Sequence, residues 1–109
     1  MKIENVPFLT ADWARLPVSE IKGESGTARE RVIEAGNLRL RMIEFSPGYR
    51  ADHWCERGHV VLVLEGTLTT ELKDGRRFES AAGTSFQVAD GDGFHLVHTA
   101  QGAKVFIVD

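Results

Sequence analysis

Val60-Val61-Leu62-Val63-Leu64 is an unbroken apolar run, so a strand built from it has no polar face. Its Val and Leu content favours an extended chain over a helix. Strand side chains alternate between faces. Val60, Leu62 and Leu64 then point one way, and Val61, Val63 and Glu65 the other. A strand that is apolar on both faces must be covered on both. The inside of a small barrel covers one face. The other falls to an N-terminal arm, a second sheet or a partner subunit, and a homodimer is one expected answer.

The rest of the chain supplies short strands around this run. Ala28 to Glu34 and Leu38 to Phe45 read as a hairpin about the Ala35-Gly36-Asn37 turn. In the second of these, Leu38, Leu40 and Met42 share one face, and Arg39 and Arg41 share the other. Ser46-Pro47-Gly48 then redirects the chain. After Gly66 the residues from Thr67 to Lys73 alternate again, and Asp74-Gly75 signals a tight hairpin turn. Arg76 to Ser80, Thr84 to Val88, Phe94 to Thr99 and Lys104 to Val108 complete the series, with glycines at the corners. Many short strands at regular spacing predict an all-β sandwich or small barrel. Residues 1–20, with Pro7, Trp13 and Pro17, lack a clear period. They are expected to form an arm on the barrel, with a short strand or a helical turn after Thr10. Residues 21–109 form the barrel domain.

Bulk composition excludes several function classes. A chain of 109 residues makes one domain with one modest core. The net charge of -3 and the lack of a dense basic patch argue against a nucleic-acid partner. The apolar run is far too short to cross a bilayer, so no membrane partner is expected. The Met-Lys-Ile-Glu-Asn start has no apolar signal core. Cys55 is the single cysteine, so no internal disulfide can form. A reducing cytoplasm is the expected location.

The chemistry concentrates just before the apolar run. His53, Cys55 and His59 all occupy odd positions, so an extended chain turns two imidazoles and a thiol to one side. Neutral imidazole and thiolate are ligands for zinc, nickel, iron and copper. His95 and His98 lie in a later strand, three residues apart and therefore on opposite faces. Asp90 and Asp92 are expected to shape their loop through side-chain bonds to the backbone. Trp54, of even parity, packs outside the barrel or under the arm. Glu65 has ligand-face parity but directly precedes Gly66, and it reads as a structural or rim residue.

These residues resemble the two motifs of the cupin superfamily. The first runs Gly, about five residues, His-x-His, three or four residues, Glu, six residues, Gly. Here it reads Gly48, four residues, His53-x-Cys55, three residues, His59, six residues, Gly66. The second runs Gly, five residues, Pro-x-Gly, two residues, His, three residues, Asn. Here it starts at Gly83, places Asp90-Gly91-Asp92-Gly93 at Pro-x-Gly with one residue more, and puts His95 at the histidine and Thr99 at the asparagine. The resemblance spans roughly residues 38–108. It implies a double-stranded β-helix, or jelly-roll barrel, holding a divalent transition metal such as Zn, Ni or Fe. By position it assigns His53, Cys55, His59 and His95 as the metal ligands, with Cys55 replacing a histidine and His59 the glutamate. Asp52-His53-Trp54-Cys55 is also similar to a small cupin group labelled by a DHCW motif. The resemblance implies a small-molecule ligand or substrate and a paired subunit. It assigns no catalytic residue. An enzyme acting on that molecule, a non-catalytic sensor or store, and a barrel with a vestigial site all stay open.

Overall fold

The computed structural model describes residues 2–109. They form eight antiparallel strands: β1 Ser19–Lys22, β2 Thr27–Ala35, β3 Leu38–Phe45, β4 His59–Leu72, β5 Arg77–Ala81, β6 Ser85–Val88, β7 His95–His98 and β8 Ala103–Val108. The larger sheet runs β1-β2-β3-β8-β4, with β6 on the far side of β4. The smaller sheet sets β5 and β7 against the second half of β4. The all-β reading from short strands and turns is thus what the chain adopts. No helix among the described residues is long and apolar enough to cross a membrane.

The apolar run and the alternating segment after Gly66 prove to be one continuous strand. β4 crosses from one sheet into the other, and its register against β8 shifts between Val63 and Glu65. That shift breaks the alternation, so Glu65 comes opposite Lys104 and is exposed. Parity had set it on the ligand face, and the bulge overrides parity. Gly66 follows at φ +76°, where a side chain would strike the backbone of Gly102. Only glycine satisfies both demands.

Val63, Val105 and Leu68 are the most deeply buried side chains, joined by Ile43, Phe45, Tyr49, Val61 and Ile107. Opposite them, Val60, Leu62 and Leu64 remain 37–38% exposed. On the same outer face, Trp13 stands edge-on to Phe106 with ring centroids 5.6 Å apart. Trp13 belongs to a single 3₁₀ turn, Trp13–Arg15, capped by the Asp12 side chain at Ala14 N–H. Further out, the Asn37 side chain accepts from Glu4 N–H and donates to the Lys2 carbonyl. The first residues therefore lie along the β2–β3 turn and leave most of the β4 outer face open.

The hairpin of β2 and β3 pairs Ala35 with Leu38 around Gly36-Asn37, as its turn signal predicts. The inward face is the less obvious one. Arg41 lines up with Ile43 and Phe45 toward the interior, while Leu40 and Met42 face out beside Val108 and Phe106. This puts a guanidinium inside the barrel, where its neighbours must neutralise it.

Candidate metal centre

The site begins where β4 begins. His59 has the parity of the buried Val61 and Val63, so its ring turns inward, and its side chain is only 6% exposed. His95 opens β7 and is 2% exposed. Cys55 lies between the strands, but its backbone is locked to His95 by two hydrogen bonds, Cys55 N–H to His95 O at 2.7 Å and His95 N–H to Cys55 O at 3.0 Å. This local pairing brings the thiol to the imidazoles. One donor atom from each of Cys55, His59 and His95 lies within 4.8 Å of the other two.

The two imidazoles meet at their tips, Nε2 to Nε2 at 2.9 Å, with their planes at 73°. Phe86 stands edge-on to both rings and closes one side. His95 Nδ1 lies 2.7 Å from the Gly93 carbonyl. A carbonyl only accepts, so Nδ1 carries the hydrogen and Nε2 of the neutral ring offers its lone pair. Burial pushes the His59 pKa down to about 4, helped by His95 and Arg41 close by. His59 is therefore neutral at pH 7, the form in which imidazole binds metal. Two neutral imidazoles and one thiol fit a borderline-soft divalent ion.

The depressed pKa has a consequence for stability. The unfolded chain takes up a proton on His59 near the ordinary value of 6.5, but the folded chain does so only near 4. Below about pH 6.5 the unfolded state binds more protons, so stability falls as the pH drops toward 4. Denaturant titrations across that window are expected to show the loss. A His59→Phe variant, which cannot titrate, is expected to lose less over the same interval.

The three donors line a cavity of about 170 Å³ together with Tyr49, Phe86 and Leu96. Its walls are mostly apolar, and Glu30 and Arg41 are its charged members. Arg41 reaches Glu30 at 3.3 Å and Asp109 at 3.1 Å. The Asp109 side chain is itself 2% exposed, with Arg39 and Arg57 within 4 Å. This ionic group was not found from sequence. Two signals pointed to it: Arg41 shares strand parity with Ile43 and Phe45, and Asp109 continues the inward alternation of Val105 and Ile107.

His53 does not join the cluster of Cys55, His59 and His95. It lines the same cavity, but its ring is 75% exposed and its Nδ1 bonds Asp52 at 2.7 Å. That bond holds the Asp52 carboxyl below the usual carboxylate range. The expectation of a shared face assumed an extended chain from 53 to 55. The backbone bends at Asp52 and His53, and the alternation is lost there. His98 faces away, as its spacing from His95 requires, and meets Glu71 at 3.0 Å. Asp90 accepts from Gly58 N–H and shapes its loop. Trp54 is 39% exposed beside Lys73.

No protein-family model matches the sequence, and no curated protein matches it by sequence. Solved structures match the fold. A predicted oxalate decarboxylase from Thermotoga maritima aligns with a TM-score of 0.78 at 11% identity, over 92% of this chain and 96% of its own. An RmlC-like cupin from Shewanella frigidimarina gives 0.75 at 18% identity, over 95% and 91%. The polyketide cyclase RemF from Streptomyces resistomycificus gives 0.75 at 23% identity, over 94% and 78%. The fold is the cupin barrel.

Proposed function

We propose that this chain is a small metal-binding cupin in which Cys55, His59 and His95 hold a divalent transition metal, Zn, Ni or Fe. The carrying observation is the convergence of these three donors at 4.8 Å or less on the wall of a mostly apolar cavity. An ion held there would supply Lewis acidity toward a small molecule. The cavity, half open to solvent, suits a small molecule. At about 170 Å³ it takes a ligand of few heavy atoms, since cavities of about 150 Å³ hold benzene.

The chain's own residues divide the remaining work. Phe86, Tyr49 and Leu96 give the cavity apolar walls beside the donors. His53, its Nδ1 hydrogen held by Asp52, keeps a free Nε2 lone pair and is the one uncommitted base on the cavity wall. Glu30 is tied to Arg41. That scarcity of free acid and base groups favours a second reading, a non-catalytic module that binds a small ligand or stores the metal. The similar folds carry the names of a predicted decarboxylase and a cyclase, so they select no single reaction. The likeness of Asp52 to Cys55 to the DHCW group sits within the same reading and adds no chemistry.

The test is metal content after purification without a His tag, followed by Zn²⁺ titration and a ligand-soaked crystal. One equivalent of metal that is lost in a Cys55→Ala, His95→Ala double variant supports the reading. A wild-type protein that takes up no Zn²⁺, Ni²⁺ or Fe²⁺ overturns it. We place the protein in the reducing cytoplasm, where Cys55 stays a thiol. We also propose that the open outer face of Val60, Leu62 and Leu64 is covered by a second copy, which a monomer mass at micromolar concentration would exclude.

A further inference from the structure

His59 Nδ1 is buried and has no hydrogen-bond partner. The carboxylate oxygen Oδ2 of Asp109 lies 3.7 Å away. The proton positions explain the gap. His95 spends its hydrogen on the Gly93 carbonyl, so in the neutral pair the hydrogen in the 2.9 Å Nε2–Nε2 contact belongs to His59. His59 Nδ1 is then a bare lone pair facing a carboxylate oxygen. Two acceptors have nothing to share, and they stand apart.

Coordination through both Nε2 atoms would change this. An ion needs the lone pair of His59 Nε2, so the hydrogen there must leave. The same ring can take it at Nδ1, with no net gain or loss of a proton. At that position it lies in front of Asp109.

Asp109 is built to stay in place. Its backbone pairs with Arg39 in both directions, at 2.7 and 2.9 Å. Arg41 Nη2 holds Oδ2 at 3.1 Å, and Arg39 Nε and Arg57 Nε stand 3.7 and 3.9 Å from its two oxygens. A carboxylate oxygen has room for a second donor beside Arg41.

We propose that Asp109 is the positioning residue of the centre: it accepts the Nδ1 hydrogen of His59 and so selects the tautomer that gives Nε2 to the ion. A carboxylate behind a ligating imidazole fixes its orientation and raises its basicity. This rests on the metal-centre reading.

The experiment uses ¹⁵N-histidine-labelled protein and Zn²⁺ alone. Long-range ¹H–¹⁵N correlations show which nitrogen of His59 carries hydrogen before and after Zn²⁺ is added. The hydrogen is expected on Nε2 before and on Nδ1 after. In parallel, chelator competition gives Zn²⁺ affinities for the wild type, Asp109→Asn and Arg15→Gln. Asp109→Asn is expected to weaken binding by about 10–100-fold. Arg15→Gln removes a positive charge from a side chain that is 87% exposed and does not line the cavity, and it is expected to leave affinity unchanged. Zn²⁺ bound by the wild type with the His59 hydrogen still on Nε2 overturns the proposal, and that readout needs no variant to fold. Equal affinity of Asp109→Asn and wild type overturns it as well. Failure of the wild type to bind Zn²⁺, Ni²⁺ or Fe²⁺ overturns the metal centre itself, a different result from either of these.

Discussion

Replacing His59 by alanine is expected to lower the affinity for Zn²⁺ by more than about 100-fold, beyond the cost of disturbing a group behind a ligand. The site offers three donors, and His59 brings one of the two imidazoles. Its loss leaves a thiol and one ring, too few to compete with water for the ion. The companion substitution His53→Ala is expected to leave affinity unchanged, because that ring is bonded to Asp52 and lies outside the cluster. Chelator competition on both variants checks the pair, with circular dichroism to establish that each is folded. His59→Ala with wild-type affinity would remove His59 from the centre. A large loss in His53→Ala would return the histidine at 53 to the ligand set.

The largest effect on stability is expected at Leu68. It is 1% exposed in the core cluster, on the part of β4 that pairs with β5. Leu68→Ala removes buried methyl groups and leaves a void that flanking strands cannot close, at a cost of about 2–5 kcal/mol. In a chain of this size the midpoint of thermal unfolding should drop by roughly 10–20 °C. Leu64→Ala makes the same chemical change on the outer face, where the side chain is 38% exposed, and should cost clearly less. Calorimetry on the two variants compares them directly. Equal costs would mean that the outer face is as well covered as the core.

Much of this architecture is legible in the chain itself. Period-2 patterning and glycine turns mark the hairpin of β2 and β3, the Asp74-Gly75 turn and the later strands, because each depends on neighbours a few residues apart. Spacing also brings out Cys55, His59 and His95. The failures share one cause, a local break in alternation. A bulge after Val63 turns Glu65 outward, and a bend at Asp52 takes His53 away from Cys55. Neither break has a strong marker of its own. The Asp109–Arg41–Glu30 group was hidden for another reason. Arg41 and Asp109 each carry inward parity, but Glu30 lies in β2, Arg41 in β3 and Asp109 just past β8, and the pairing in the folded sheet is what brings the two acids to the arginine.

β4 exchanges hydrogen bonds with β5, β6, β7 and β8, all of which follow it in the chain. A growing or refolding polypeptide therefore holds its stickiest ribbon ready before any of those neighbours exists to sheathe it. Assembly dominated by such distant pairings is slow, on the order of milliseconds to seconds. During that interval, Val60 to Leu64 is a template for self-association between chains. Yield of this protein in a cell should depend less on how firmly the finished barrel holds than on how soon its last strand arrives.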